Sequence, residues 1–427
     1  MRVIWVTHDV FDVFSPFVKG KPTKGGSWIA PLFYSIKDLK NIKLASITPV
    51  VDGMEQKQEI DNVTYYSIGI QKGDNVSNMS KSLVNKYLWA INDFHPDVIH
   101  IHGIEKNFAL LRKYVDVRIP IVCSIQGIIS PCIEYLKYSI ANINIKKFKS
   151  IKNRVGRGGV SYILRKWKEY SLIEKEIFKL NKYFIGRTDW DKAQLSAMNA
   201  DAFYFHGEEL LRSPFYDHEW EINKCERNRI FVSSAQYPIK GFHVLLHAVA
   251  ILKEKYPDVK VIAPLSAIKK KYSRFKDFLF AEDYSNYLKN EIKKLNLEEN
   301  IIMLKRLTAE EMAMEYKKAH VFVLPSFIEN SPNSLGEAMM VGTPSVVAPV
   351  GGVTSIVKDY ESSLYFRAGD YAVLAYQINR LFTDDVLAQN ISKKAKNIAL
   401  KRHNVSQTTE QYCTIYSEII NRYEKSR

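Results

Sequence analysis

The stretch 325–352, PSFIENSPNSLGEAMMVGTPSVVAPVGG, gathers residue types that together can hold a phosphorylated, hydroxyl-rich ligand. Two carboxylates, Glu329 and Glu337, flank a polar loop that runs into a helical pattern, and a Gly-Thr-Pro turn then leads to a buried strand. The helix is predicted to start at Asn333 or Ser334, both good capping types, with Pro332 just outside it. The N–H groups of its first turn, those of Asn333, Ser334 and Leu335, have no partner within the helix and stand at the positive end of its dipole. Such a terminus suits a diphosphate. A carboxylate accepts paired hydrogen bonds from vicinal hydroxyls, so two of them around an anion-binding helix start can grip both ends of a nucleotide sugar. The same spacing also fits one capping glutamate and one solvated glutamate, and spacing alone does not separate the two.

Other chemistry-bearing residues fall at the ends of strand-like runs. Open parallel sheets bind ligands beyond the carboxyl ends of their strands. That rule selects His100 and His102, Gln126 and Gly127, Gly186 to Thr188, and Pro325 to Ser326. Glu105 follows His102 closely, and Arg187, Asp189 and Asp191 follow the run KYFIGRT. These are candidates for holding an acceptor, although a buried structural ion pair fits Arg187 and its acidic neighbours equally well. No cysteine spacing resembles a metal site, so no metal is expected and Cys123, Cys132, Cys225 and Cys413 read as reduced thiols.

Short apolar runs alternating with longer amphipathic ones must position these groups, a pattern of parallel sheets covered by helices. Strands are predicted at 2–7, 43–48, 64–69, 97–103, 120–127 and 182–188, then at 229–235, 259–265, 300–306, 321–326 and 343–349. The polar region 206–228 interrupts the periodicity. It divides the chain into an α/β domain at 1–210 and a second at 211–404. A helical tail at 405–427 is expected to pack back on the first. Neither domain carries GxGxxG after its first strand, which argues against a nicotinamide dehydrogenase, and GRGG at 156–159 lies in a basic stretch rather than a strand–turn–helix.

A chain of 427 residues, 46% hydrophobic and 25% charged, has material for two large cores. It has no run of about 18 apolar residues and carries acids where a signal peptide has its apolar region, so a cytoplasmic protein is expected. The formal net charge is +15, which favours anionic partners. Within 146–179 eleven Lys or Arg stand against three Glu, interleaved with Phe148, Tyr162, Ile163, Leu164 and Trp167. That mixture suits peripheral contact with anionic lipid at the inner face of the plasma membrane. Nucleic acid is the rival partner, but no nucleic-acid module is recognisable.

The stretch 325–352 resembles the signature of the retaining glycosyltransferases of family four, which have the GT-B fold. Glu329, Glu337, Ala338, Met339, Gly342, Pro344, Gly351 and Gly352 match it, and RVIWVTHD, PDVIHIHG, IPIVCSIQG and YPIKGFHVLLHA follow in family order. The resemblance implies two Rossmann-like doubly wound domains facing a central cleft, with 1–210 on the acceptor side and 211–404 on the donor side. It assigns Glu329 to the transferred sugar and Glu337 to the nucleotide ribose. Lys240 would hold the donor diphosphate, as a flexible ammonium can, and Gly25 and Gly26 of KPTKGGSW would let the backbone approach it. Two departures stand out. The family's Arg five residues before the Lys is absent here, where Ser234, Ala235 and Gln236 stand, so Arg306 or Lys305 would have to replace it. Gln126 stands where the family commonly has His. The mechanism usually proposed for the family, in which the leaving diphosphate takes the acceptor proton, tolerates that Gln, with His102 facing the same space.

GRTDWDKA and HGEELLRSPFY further resemble bacterial enzymes that assemble capsule or O-antigen. The resemblance thus implies a metal-independent retaining transferase with no cofactor. It would move a hexose-type sugar from a UDP-sugar, or failing that a GDP-sugar, to a glycan or lipid-linked acceptor. The alternatives are a non-hydrolysing sugar-nucleotide epimerase of the same fold and an inactive sugar-binding scaffold of a polysaccharide-assembly complex.

Overall fold

The computed structural model describes residues 1–11, 14, 29–51, 53–70, 79–264 and 279–425. Two compact units emerge: the first comprises 1–129, 170–210 and 403–427, the second 130–169 and 211–402. The segment 130–169 thus groups with the second unit, whereas the predicted division at 210 kept it with the first.

Among the described residues the first unit carries an eight-stranded sheet in the order β3-β4-β2-β1-β5-β6-β7-β8. Its strands are β1 (Arg2–Val6), β2 (Lys43–Val51), β3 (Gln56–Ile60), β4 (Val63–Ile70), β5 (Val98–His102), β6 (Ile121–Ser124), β7 (Tyr183–Gly186) and β8 (Phe203–His206). All neighbours are parallel except β3 with β4. The central strands read as continuous apolar runs because helices cover both faces. Alternation along β1 shows this: Ile4 and Val6 join the core under the helix Lys81–Phe94, while Val3 and Trp5 join the core under Ile29–Lys37 and Val405–Lys425. The C-terminal helix is tied in by polar contacts as well. Trp5 Nε1 donates to the Tyr416 hydroxyl at 3.1 Å, and that hydroxyl lies 2.7 Å from His100 Nδ1.

The second unit carries a six-stranded parallel sheet, β11-β10-β9-β12-β13-β14, among the described residues. Its strands are β9 (Arg229–Phe231), β10 (Lys260–Ala263), β11 (Ile301–Met303), β12 (Val321–Leu324), β13 (Ser345–Val347) and β14 (Leu364–Tyr365). The long helix Gly159–Leu180 begins in this unit at the GRGG sequence. Its first N–H groups are already capped by the chain's own acids: Gly159 donates to Glu282 at 2.5 Å and Val160 to Asp283 at 3.1 Å. A helix start so neutralised has no call on an external phosphate. Among the described residues no helix is long and apolar enough to cross a membrane.

Candidate functional site

The loop that follows β12 and feeds the helix Asn333–Val341 is clamped by two glycines. Gly241 has φ +67°, and a Cβ built there would lie 1.8 Å from the Pro325 carbonyl oxygen. Gly351 has φ +55°, and its Cβ would lie 2.0 Å from the carbonyl oxygen of Glu329. Between these approaches, Phe327 N–H donates to Ile239 at 2.8 Å and Gly352 N–H to the Glu329 carbonyl at 3.0 Å. Only residues without a side chain let backbone come this close in these left-handed conformations. The loop, and Glu329 with it, is therefore fixed from both sides.

Each of the two carboxylates carries a cation. Lys240 Nζ donates to Glu329 Oε1 at 2.6 Å, and Ser326 Oγ donates to the same oxygen at 2.7 Å. Arg212 Nη2 donates to Glu337 Oε1 at 2.8 Å, and the Tyr316 hydroxyl stands 3.2 Å from Oε2. Burial raises the Glu337 carboxyl above its ordinary range, and the Arg212 guanidinium and the Tyr316 hydroxyl offset only part of that rise. The helix between them is capped by Pro332, outside Asn333 as the sequence predicts, with no side-chain cap on its N–H groups. Tyr316 also donates to the Ser334 carbonyl at 2.9 Å, tying the helix start to the Glu337 carboxylate. Leu335 N–H donates to the Pro332 carbonyl at 2.9 Å, so of the three predicted donors Asn333 and Ser334 are the ones at the helix start that can meet an anion, and two acids, two cations and this terminus are assembled in one unit. That combination can take a polyol at each end and an anion between.

Arg212 is the residue that sequence reasoning missed. Its region, 206–228, reads as a polar junction, yet RSPFY folds into a tight turn and the short helix Pro214–Asp217. Phe215 N–H donates to the Arg212 carbonyl at 3.2 Å, and the Phe215 ring lies 5.0 Å beneath the guanidinium. Lys305 and Arg306, offered as substitutes for the missing family arginine, are exposed on the loop after β11. Among the described residues neither forms an ion pair with Glu329 or Glu337.

In the first unit the strand-end candidates separate. Gly25 and Gly26 lie outside the described residues. His102 is buried against Trp5 and His100, with ring centroids at 4.0 and 3.8 Å, and desolvation holds it well below the usual imidazole range, so the ring is neutral. Gln126 Nε2 donates to Glu209, and Arg187 Nη2 donates to Gln126 Oε1 at 3.1 Å. Arg187 also pairs with Glu209, both nearly fully buried, so these three form one internal network rather than a set of free side chains. Glu209 gave no signal in the sequence beyond its charge. Asp191 is fully buried and accepts from the backbone of Arg187 and from the Tyr204 hydroxyl, both at 2.8 Å. With Thr188 it completes the capping box of the helix Asp189–Met198, which commits it to structure rather than to an acceptor.

Glu105 turns its carboxyl inward, and burial raises it from 4.5 to about 6. A raised carboxyl favours the protonated form in the fold. Its contribution to stability is fully present below pH 4.5 and lost as pH rises through about 6. Urea unfolding of wild type is therefore expected to lose about 2 kcal/mol relative to Glu105→Gln over that interval. Parallel pH profiles for the two proteins would refute this environment for Glu105.

Comparison with known proteins bears on the second unit first. Residues 216–398 match the family model described as glycosyl transferases group 1. Among curated proteins, the chain is 29% identical over 188 residues to a D-inositol 3-phosphate glycosyltransferase of Corynebacterium efficiens, covering 44% of this chain and 42% of that one. It is 24% identical over 195 residues to an uncharacterized glycosyltransferase of Methanocaldococcus jannaschii, covering 46% of each. The chain thus spans less than half the length of the curated relatives it matches. Solved structures extend the likeness across both units. The sucrose-phosphate synthase of Thermosynechococcus elongatus superposes with a TM-score of 0.71 at 14% identity, covering 98% of this chain and 99% of that one. Anabaena HepE in complex with UDP-glucose gives 0.64 at 17% identity, covering 98% and 100%. Residues 216–398 are thus similar to the glycosyl transferases group 1, and the two sheets have the fold of the GT-B glycosyltransferases.

Proposed function

We propose that the protein is a retaining glycosyltransferase that moves a hexose-type sugar from a nucleoside diphosphate, UDP by preference, to a glycan or lipid-linked acceptor in the assembly of a bacterial surface polysaccharide. The observation that carries this reading is the pair Glu329 and Glu337, each held by a cation, on either side of the helix start at Asn333. Glu337 is suited to the ribose hydroxyls and Glu329 to the sugar. Lys240 and the helix terminus meet the diphosphate and stabilise the charge that grows on it as the glycosidic bond breaks. The leaving phosphate oxygen accepts the acceptor's proton, so no side chain has to serve as base. These cationic groups are adequate to the charge without a metal, and activity is expected to survive a chelator. That HepE was solved with UDP-glucose supports UDP as the first donor to try. A screen of nucleoside diphosphates by thermal shift tests the reading. At a hundredfold excess over Kd the cognate nucleotide contributes about 2.7 kcal/mol. No response to any of them would sink it, and a product formed from nucleotide sugar without acceptor would point to an epimerase.

Contact with an anionic membrane is the second part of the proposal. Ile151, Val155 and Tyr162 are exposed among Lys146, Lys147, Arg154, Arg157 and Arg165, all exposed as well. Ile177 and Phe178 do not contribute, because they are buried in the core of the first unit. Each basic residue at an acidic surface is worth about 1 kcal/mol, so replacing Lys146, Lys147, Arg154 and Arg157 by Gln should weaken binding to phosphatidylserine vesicles roughly a hundredfold or more. Sedimentation with such vesicles measures this, and unchanged partitioning would remove the membrane from the proposal.

A further inference from the structure

We infer that Arg212 is a positioning residue for nucleotide binding, which keeps Glu337 charged and aimed so that its carboxylate takes both hydroxyls of a ribose diol. The inference rests on the donor reading above and adds to it a residue outside the motif that suggested that reading.

The geometry supplies the argument. A carboxylate offers about four lone-pair directions. At Glu337 Oε1 accepts from Arg212, and Oε2 stands 3.2 Å from the Tyr316 hydroxyl, whose single proton it shares with the Ser334 carbonyl, which leaves at least one direction on each oxygen, the number a vicinal diol needs. Arg212 is itself held in place. Its guanidinium lies over the Phe215 ring, that ring meets the Tyr316 ring edge-on at 6.0 Å, and Tyr316 reaches back to Glu337. The four side chains therefore close a ring of contacts within one unit, and the carboxylate has one orientation. Glu337 is only 7% exposed, so an acid there needs its cation to remain ionised. Without Arg212 the buried carboxyl takes up a proton, and a neutral acid that must donate one hydrogen bond no longer matches two donor hydroxyls.

Arg212 acts on the diol and not on the phosphates, which makes the inference separable from a general loss of affinity. Calorimetry with UDP and with 2′,3′-dideoxyuridine diphosphate reads it as a ratio of two affinities, so a variant that is partly unfolded lowers both and leaves the ratio alone. Wild type is expected to prefer UDP at least tenfold at pH 7. Arg212→Ala should lose at least tenfold in UDP affinity, bind the dideoxy compound as wild type does, and bring the ratio near one. Raising the pH above 7 should restore part of the preference as more of Glu337 ionises, and Arg212→Lys should keep part of it at pH 7. An unchanged ratio would overturn the inference, whether the two affinities fall together or neither falls. Wild type without preference for UDP over the dideoxy compound would overturn the ribose role of Glu337 itself, and Arg212's role with it.

Discussion

Lys240→Ala is expected to lower turnover by about two to three orders of magnitude, the usual effect of removing one preorganised group from a developing negative charge. Two effects act together in that variant. The cation that would meet the departing diphosphate is gone, and Glu329, whose side chain is 10% exposed, keeps only Ser326 as a side-chain partner among the described residues. An uncompensated carboxylate beside a diphosphate repels it, so nucleotide affinity should fall too, although by less than turnover. Stability should change little by comparison, because Lys240 is 27% exposed and a pair of that kind contributes about 1 kcal/mol or less. Separate measurement of kcat and KM distinguishes these effects. Lys240→Arg should recover part of the turnover, since it restores the charge with different geometry. If Lys240→Ala retained a tenth or more of wild-type turnover, the diphosphate would have to be held by something else.

Gly241→Ala should damage folding and activity together. The added Cβ would fall 1.8 Å from the Pro325 carbonyl oxygen, a separation that real side chains essentially never show, and the residue has a positive φ besides. The left-handed conformation alone costs about 1–2 kcal/mol for a residue with a side chain. Displacing the clamped loop adds to it, and about 3 kcal/mol in all corresponds to a melting temperature lower by on the order of 10 °C for a unit of this size. The loop that must give way carries Glu329 four residues further on, so turnover should fall in the fraction that still folds. Gly127→Ala is the control, because a Cβ there meets nothing within 4 Å and the substitution should move stability by less than about 0.5 kcal/mol. Equal melting curves for Gly241→Ala and Gly127→Ala would show that the clamp has no energetic weight.

The central strands and their order of appearance were legible in the sequence because strands covered on both faces must be apolar throughout. What escaped prediction lies at sheet edges. QKQEI at β3 alternates without a single fully buried residue, FYFH at β8 sits against the polar region 206–228, and β14 is two residues long. At the site, Glu329, Glu337 and Lys240 were readable because one local pattern fixes their spacing. Arg212 and Glu209 were not, since Arg212 meets Glu337 across 125 positions and Glu209 meets Gln126 across 83, and only folding brings those together. Asp191 misled for the opposite reason: an acid five residues past the end of β7 looks available in a string of letters, whereas the capping box turns it inward. The exposed Arg306 likewise has the right chemistry in the string, and no ion pair brings it to either glutamate among the described residues.

The helix Val405–Lys425 closes a core whose other walls were laid down by the first two hundred residues, and Trp5 waits for Tyr416 across 411 positions. On a ribosome adding about 5–20 residues per second, the first sheet would stand with one face uncovered for roughly ten seconds or more while the second unit emerges. During that interval the apolar surface around Trp5, Val98 and Val122 is open to chaperones and to neighbouring nascent chains. Production at lower temperature, or with a chaperone that shields apolar surface, is therefore expected to raise the soluble yield. A chain stopped before residue 412 should emerge as an aggregate even though residues 211–402 are all present.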